Sequence, residues 1–280
     1  MTDEGPLEST DIWDRLAPYY DRLFPPGRAQ LDFIGRVAAG MAHPGRRLLD
    51  VGCATGGYAL ALAEAGFEVT GVDISAEMVR LARTRAQTWE AERRSRFPPG
   101  RLPPPPRFLV ADATNLEELP ADEKAPFDVV ICLGNTLAGL LSAAELGAAL
   151  GEMARVLGYG GRAILQTVNY DRFAATGRMD FPPLVVPGPD GLVLDRAYKT
   201  RPDGLVTFVT TLRRPAPPDG DEAPEVLRAE TVLRPTQQEE LSTIARMAFH
   251  GEVAVYGDFL FTPWSAASPA TIVVAERGPD

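Results

Sequence analysis

The segment from Leu48 to Gly57 constrains the fold of this sequence more than any other. Its apolar residues lead into a glycine-rich turn, and an alanine-rich, helix-forming pattern follows. Such a turn lets the backbone approach a ligand closely and presents unpaired N–H groups at a helix N-terminus. A second apolar run ends at Asp73, about twenty residues after the first glycine, where a nucleoside-binding βαβ unit places its ribose-binding carboxylate. The sequence therefore predicts a nucleoside site at the ends of these two strands.

Apolar runs alternate with helical patterns up to about residue 170, which predicts a parallel, doubly wound sheet. Helices are predicted at 28–41, 58–65, 75–90 and 142–157, and the fifth strand at 163–168. Ligands bind beyond the carboxyl ends of the strands in such sheets, and polar or glycine residues follow each predicted strand. These strand-end residues are Asp50, Gly52, Asp73, Asp112, Gly134, Asn135, Asn169 and Tyr170. The whole row indicates a binding site, although each member alone is commonly a cap or a turn.

The pattern changes in the second half of the chain. Segments 192–198, 205–212 and 227–233 resemble strands with no helices between them, which predicts a small antiparallel sheet. We expect an α/β fold that is doubly wound and Rossmann-like. Its mostly parallel seven-stranded sheet ends in an antiparallel pair at 253–256 and 271–275, and the antiparallel cap is inserted after strand five.

Three further local predictions follow. A helix should run from Thr236 to Phe249, with a capping box formed by Thr236 and Glu239. Residues 11–24 carry aromatic and apolar side chains at helical spacing and end at a Pro-Pro-Gly segment, which predicts an amphipathic helix. This helix is either a lid or a permanently packed element, and the sequence leaves both open. Irregular segments are predicted at 1–10, 93–106 and 215–224.

Composition limits the classes of function. The 280 residues carry a formal net charge of -10, and a negative surface repels nucleic-acid phosphates. No apolar run is long enough to span a bilayer, and the first residues lack the basic start of a signal peptide. Cys53 and Cys132 are too few for a disulfide framework, and no His/Cys cluster has metal-ligand spacing. We expect a cytoplasmic protein that binds no nucleic acid, membrane or metal. The oligomeric state is not predicted.

Several motifs resemble those of the class I S-adenosylmethionine-dependent methyltransferases. Residues 49–56 resemble the first motif of that superfamily, an acidic residue followed by a G-x-G-x-G-like turn. Asp73 matches its ribose-binding acid, and Asp112 and Ala113 match residues that flank the adenine. The resemblance covers roughly residues 40–170 and 236–276 and implies S-adenosylmethionine as the methyl donor.

A closer resemblance is to the glycine/sarcosine N-methyltransferase-like group. Residues 131–135 and 169–171 resemble its "I-C-L-G-N" and "N-Y-D" segments. Arg28 stands at the same distance before the first motif as an arginine that holds the methionine carboxylate in that group. The resemblance therefore implies a small-molecule methyl acceptor, with an amine nitrogen as the expected acceptor atom.

The resemblance also assigns roles to individual residues. The expected donor-binding residues are Arg28, Asp50, Gly52, Cys53, Ala54, Gly56, Asp73, Ile74, Asp112, Ala113, Leu133, Gly134 and Asn135. The expected catalytic residues are Tyr20, Asn135 and Tyr170, and the acceptor should contact Tyr170 and Arg172. The implied regions are an N-terminal helical lid (1–40), a donor-binding core (41–170), a substrate cap (171–235) and the C-terminal part of the core sheet (236–280).

Two residues depart from the pattern of the family. Ala54 replaces the middle glycine of the turn, which costs little if its φ stays negative. Val168 stands where the glycine enzymes carry an arginine that fixes the substrate carboxylate, and an apolar residue cannot pair with a carboxylate. Glycine is therefore an unfavourable acceptor unless Arg172 supplies the missing charge.

Three other functions stay open. The chain could be a small-molecule O-methyltransferase, a non-catalytic S-adenosylmethionine-binding regulator or an NAD(P)-dependent oxidoreductase. The oxidoreductase interpretation rests on residues 52–57, which match the G-x-G-x-x-G motif except at Ala54, and it leaves Asp112 without a role. His43 and His250 fall outside the strand-end row, which favours an amine acceptor because a neutral amine needs no strong base.

Overall fold

The computed structural model describes residues 11–43, 45–96, 104–120, 126–176, 178–188, 191–215 and 224–279. The irregular segment predicted at 1–10 lies outside these residues, as do residues 97–103 and 216–223 of the other two predicted irregular segments. The helices are α1 (Asp11–Leu16), α2 (Tyr20–Leu23), α3 (Arg28–Ala39), α4 (Gly57–Glu64), α5 (Ala76–Arg96), α6 (Ala143–Val156), α7 (Tyr170–Thr176) and α8 (Gln238–Phe249). The strands are β1 (Arg47–Val51), β2 (Glu68–Asp73), β3 (Arg107–Val110), β4 (Phe127–Cys132), β5 (Leu157–Val168), β6 (Arg178–Val186), β7 (Leu192–Thr200), β8 (Val206–Arg213), β9 (Glu225–Leu233), β10 (His250–Tyr256) and β11 (Ala270–Arg277).

Seven strands form the central sheet in the order β10-β11-β5-β4-β1-β2-β3. β1 pairs in parallel with β2 and β4, whereas β11 pairs antiparallel with both β5 and β10. This confirms the predicted α/β sheet and its antiparallel terminal pair. Parallel strands direct their carboxyl ends to one edge, so the ends of β3, β2, β1 and β4 follow one another along that edge.

Apolar side chains are buried on both faces of this sheet. On one face α6 and α8 pack around Phe127, Met153 and Leu241. On the other face α3, α4 and α5 contribute Phe33, Leu62 and Val79. Burial on both faces explains why β4 is a continuous apolar run in the sequence. No helix among the described residues is long and apolar enough to cross a membrane.

The cap is a separate antiparallel sheet in the order β6-β7-β8-β9. The sequence predicted three of these strands and missed β6, which contains Pro182 and Pro183. Proline cannot donate to a strand ladder and is tolerated on an edge strand, and β6 is at the edge. The register between β6 and β7 shifts between Phe181 and Leu184, at these two prolines.

Four local predictions differ from the structure. α5 continues to Arg96, beyond the predicted end near Glu90, and the short helix α7 was not predicted. β5 begins at Leu157 rather than Ala163, because the glycine-rich segment between them continues the strand through a register shift against β4. The capping box predicted at Thr236 is absent.

The cap of α8 comes from elsewhere in the chain. The N-cap residue is Gln237, which makes no side-chain cap bond. The backbone N–H of Gln238 donates instead to Asp171 Oδ2 at 2.9 Å. Thr236 Oγ1 accepts a hydrogen bond from Arg234 at 3.0 Å. A residue 67 positions earlier therefore caps this helix, and no local pattern could indicate it.

The N-terminal segment is two short helices, α1 and α2, joined by a 3-10 turn rather than one continuous helix. Its buried residues Ile12, Leu16 and Leu23 pack against the cap sheet. The cap residues in this cluster are Leu192, Leu194, Leu212, Leu227 and Ala229. The segment therefore joins the cap at one side while its other side faces the strand-end edge.

Candidate functional site

A cleft of about 180 Å³ lies over the carboxyl ends of β1 to β4. The N-terminal segment contributes Trp13 and Tyr20 to its wall, and the end of β9 contributes Thr231, Val232 and Leu233. The cleft is lined by nine of the residues predicted from the sequence, namely Tyr20, Gly52, Ala54, Asp73, Ile74, Asp112, Ala113, Leu133 and Asn135. Four members of the predicted strand-end row, Gly52, Asp73, Asp112 and Asn135, thus converge on one cavity.

The glycine turn after β1 forms the floor of the cleft. Gly52 and Gly56 have φ values of 75° and 77°, and a Cβ on Gly52 would lie 2.1 Å from Thr136 Oγ1. The condition under which Ala54 would cost little, a negative φ, is not met, because its φ is 47°. Its N–H donates to Asp73 Oδ2 at 2.9 Å, which holds the residue in this left-handed conformation. The family's glycine is therefore replaced here at some cost in backbone strain.

Asp73 closes the end of β2 and faces the cleft. Its Oδ1 accepts from the Ser75 N–H at 2.9 Å, and its Oδ2 accepts from Ala54. A carboxylate has about four acceptor sites, so further bonds to ribose hydroxyls are possible. Burial raises the pKa of Asp73, while the bonds from Ser75 and Ala54 oppose that rise.

Asp112 and Ala113 line the cleft beyond β3. The Asp112 side chain is exposed, and its Oδ1 accepts from both the N–H and the hydroxyl of Thr114 at 2.8 Å. It therefore acts as a turn cap, and its second oxygen is available to a ligand. Ile74 is exposed beside it and forms an apolar rim.

Asp50 is buried beneath the glycine turn at 4% exposure and does not line the cleft. Burial and the nearby charge of Asp73 raise its pKa from 3.8 to about 7. Burial, followed by the charges of Asp73 and Asp50, also raises the pKa of the Tyr20 hydroxyl far above its ordinary value. Tyr20 therefore stays protonated at neutral pH and can donate a hydrogen bond but cannot act as a base.

Asn135 lies at the opposite end of the cleft from Asp112. Its Oδ1 accepts from the hydroxyl of Tyr198, on cap strand β7, at 3.0 Å. Leu133 lines the cleft beside it, while Gly134 has a φ of 78° and donates its N–H to Gln166 Oε1 at 2.8 Å. The turn after β4 is therefore fixed from both the core and the cap.

Seven predicted site residues do not line the cleft: Arg28, Asp50, Cys53, Gly56, Gly134, Tyr170 and Arg172. The Arg28 side chain is 91% exposed and pairs with Asp32 at 3.4 Å. Tyr170 is 1% exposed and stacks on Tyr198, with ring centroids 5.6 Å apart. Burial, followed by the neighbouring Tyr198, raises the pKa of its hydroxyl. Arg172 is exposed on α7.

Sequence reasoning missed several lining residues. They are Trp13, Val51, Val72, Met78, Ala111, Thr136, Gly139, Leu140, Thr231, Val232 and Leu233. Trp13 belongs to the segment 11–24, whose aromatic residues at helical spacing are visible in the sequence, so it could have been predicted as a site residue. The residues of β9 reach the cleft only through the way the cap sheet packs, and the sequence gives no sign of that. Tyr198 was missed for the same reason.

The charges in the cleft are of one sign. Asp73 and Asp112 are acidic, and the described residues that line the cleft include no lysine, arginine or histidine. His43 and His250 are exposed and lie outside it, as predicted. Within the described ranges, no group of three His, Cys, Asp or Glu side chains could hold a metal ion. Such a cleft suits a ligand that carries positive charge and hydroxyl groups, which S-adenosylmethionine does.

Sequence comparison relates part of this chain to known methyltransferases. A family described as "Methyltransferase domain" matches residues 48–161. The chain is 32% identical over 168 residues to glycine/sarcosine N-methyltransferase of Parasynechococcus marenigrum, covering 60% of this chain and 52% of that protein. It is 31% identical over 140 residues to ubiquinone biosynthesis O-methyltransferase of Alkalilimnicola ehrlichii, covering 50% and 48%. The chain thus spans about half the length of the curated relatives it matches.

Among solved structures, the chain is similar to the CcbJ methyltransferase from Streptomyces caelestis. The TM-score is 0.71 at 24% identity, over 98% of this chain and 100% of that one. The likeness extends through the cap sheet as well as the core. S-adenosylmethionine is the methyl donor of the family to which these matches point. The matched part of this chain, residues 48–161, is therefore a methyltransferase domain of the class I, S-adenosylmethionine-dependent type.

Proposed function

We propose that this protein transfers a methyl group from S-adenosylmethionine to the nitrogen of a small amine. The observation that carries the proposal is the absence of lysine, arginine and histidine from the described cleft lining. A phenol acceptor must lose a proton before it attacks, which calls for a base. An amine that is already neutral, such as an aromatic amine, attacks directly through its lone pair, and the methylated product then releases a proton to water. The cleft therefore needs only to align the amine and exclude water during the transfer.

The donor would lie along the strand-end edge. Asp112 would bond the adenine amino group, Asp73 the ribose hydroxyls, and the turn at Gly52 would support the methionine part. The strand order supports this direction, since the ends of β3, β2, β1 and β4 follow in sequence. The donor supplies a methyl group already activated by its sulfonium charge. Tyr20 would face that methyl group with a protonated hydroxyl.

The acceptor would enter beside Trp13, Leu140 and the end of β9, which together offer an apolar and aromatic wall. Val168 packs against a buried cluster that contains Tyr170, Phe173 and Tyr198, so an apolar neighbourhood surrounds the position where glycine enzymes carry arginine. We infer that an aromatic or apolar amine is preferred, and that glycine and sarcosine are poor acceptors. The sequence predictions for Tyr170 and Arg172 remain proposals, and neither residue lines the cleft.

The test is a screen of the purified protein with S-adenosylmethionine and a panel of amines, amino acids, phenols and thiols, read by release of S-adenosylhomocysteine. Mass spectrometry and NMR of the product would then locate the added methyl group. We expect the fastest turnover from an uncharged or aromatic amine and little from glycine. Turnover of phenols without any amine would favour the O-methyltransferase alternative. Glycine turnover equal to that of the best acceptor would contradict the inferred preference.

A further inference from the structure

The hydrogen bond between Tyr198 and Asn135 connects two parts of the molecule that lie 63 residues apart. Tyr198 belongs to the cap sheet, and Asn135 follows β4 in the core. Asn135 lines the cleft, whereas Tyr198 does not. The bond therefore links a residue of the ligand site to a buried side chain that does not itself line the cleft.

The position of the Tyr198 hydroxyl is fixed by its surroundings. The ring is 1% exposed and stacks on Tyr170. Phe181 and Phe208 contact it edge-on, at centroid distances of 5.1 Å and 5.0 Å. Burial raises the pKa of the hydroxyl, so it keeps its proton and can donate to Asn135 Oδ1. A ring held on several sides is a rigid support for the amide it bonds.

This bond determines what Asn135 offers to a ligand. Tyr198 anchors its Oδ1 and takes one of the two acceptor sites of that oxygen, so the amide is held in one orientation and its Nδ2 amino group can donate to a ligand in the cleft. The side chain is thereby set to donate hydrogen bonds. A freely rotating asparagine would present either its oxygen or its nitrogen, and would lose side-chain entropy on binding.

The strand order indicates which part of a ligand meets this amino group. Asp112 follows β3, Asp73 ends β2, the Gly52 turn follows β1 and Asn135 follows β4. A nucleoside held by Asp112 and Asp73 therefore directs its 5′ substituent toward Asn135. In the donor that substituent is the methionine part, whose carboxylate accepts hydrogen bonds.

We propose that Tyr198 is a positioning residue that holds the Asn135 amide with its N–H groups directed at the methionine carboxylate of the donor. The inference rests on the proposed donor site. Tyr198 acts only through Asn135, so removing its hydroxyl should matter only while the Asn135 amide is present. It should also matter only for ligands that carry the carboxylate.

The experiment is a double-mutant cycle measured by calorimetry, with S-adenosylhomocysteine as the ligand. The variants are Tyr198→Phe, Asn135→Ala and the double substitution. We expect Tyr198→Phe to weaken binding roughly three- to tenfold, the scale of one lost hydrogen bond. The double variant should bind no more weakly than Asn135→Ala alone. Urea unfolding of each variant checks that the fold is intact, and Tyr159→Phe controls for loss of a hydroxyl at an exposed site.

5′-Methylthioadenosine is the matched ligand, because it has the nucleoside and thioether but lacks the amino-acid end. Its affinity should be the same in wild type and Tyr198→Phe. Unchanged S-adenosylhomocysteine affinity in Tyr198→Phe, or losses that multiply in the double variant, would overturn the inference while leaving the proposed function in place. Equal weakening of both ligands would also overturn it, since that indicates a general packing role. Failure of the wild type to bind S-adenosylhomocysteine would instead remove the proposed function on which the inference rests.

Discussion

The backbone N–H of Ala54 donates to Asp73 Oδ2 at 2.9 Å and so joins the glycine turn after β1 to the end of β2. The bond fixes the carboxylate that the donor ribose is proposed to use. It also holds an alanine at a φ of 47°, in a region of backbone conformation that residues other than glycine seldom occupy. The geometry of the turn and the position of the carboxylate are therefore determined together.

Substitution of Ala54 tests this left-handed conformation. Ala54→Gly removes the strain of the Cβ and should leave the free energy of unfolding within about 1 kcal/mol of the wild type, or raise it. Ala54→Val places a β-branched residue at positive φ and should lower it by about 1–3 kcal/mol. Denaturant unfolding measures both. Equal stability of the two variants would contradict the assigned φ.

Asp73→Ala should weaken donor binding by about 1.5–3 kcal/mol, the scale of charge-assisted hydrogen bonds. The variant also removes an acceptor for Ala54 and Ser75, so its stability must be measured beside its affinity. Arg80→Ala is a suitable control, because it breaks an exposed ion pair with Glu77 at the start of α5, outside the cleft. Calorimetry that finds unchanged S-adenosylmethionine affinity in Asp73→Ala would remove the proposed ribose contact.

Asp50 should make stability depend on pH. Its pKa is raised in the folded protein to about 7, from 3.8. A raised carboxyl pKa contributes stability that is full below about 4 and is lost as the pH rises through about 7. Between about pH 5 and about pH 8, the free energy of unfolding should therefore fall more in the wild type than in Asp50→Asn. Parallel pH profiles of the two proteins would show that Asp50 does not titrate in this range.

We propose that the N-terminal segment opens to admit the donor. Asp21 accepts hydrogen bonds from Thr55 at 2.5 Å and from Arg85 at 2.7 Å, and Asp14 accepts one from Ser75. These bonds fasten the segment over the glycine turn. Binding of S-adenosylhomocysteine should raise hydrogen-exchange protection across residues 11–24 while residues 143–156 of α6 change little.

The packing of Ile12, Leu16 and Leu23 against the cap favours the alternative, in which the segment is permanently packed. Asp21→Asn distinguishes the two, because it weakens the fastening without removing that apolar contact. A lid should then exchange faster across 11–24 in the ligand-free protein. Protection that is the same with and without S-adenosylhomocysteine would exclude the lid.

The residues of the strand-end row could be predicted because each follows an apolar run whose length fixes where its strand ends. Asp73, Asp112 and Asn135 all reached the cleft for this reason. Other features of the site and the fold could not be predicted, because they depend on contacts between segments that are far apart in the sequence. Tyr198 meets Asn135 only because the cap folds back on the core, and β6 was hidden by two prolines that an edge strand tolerates.

The sign of φ at Ala54 also could not be predicted from the neighbouring residues, since it depends on a hydrogen bond to Asp73, 19 residues away. Tyr170 shows a different limit of predicting from strand ends. Its place after β5 suggested a site residue, but α7 begins there and directs the ring into the cap interface, away from the cleft lining. Position at a strand end indicates proximity to the edge of the sheet, and the following element decides which way the side chain faces.

The most direct test of this account is calorimetric titration of the protein with S-adenosylmethionine, S-adenosylhomocysteine and NADH under identical conditions. The cleft described here should bind one molecule of either sulfur-containing nucleoside per chain, and both affinities should fall in Asp73→Ala. NADH should produce no saturable binding. Saturable binding of NADH, together with no binding of S-adenosylmethionine, would contradict the account.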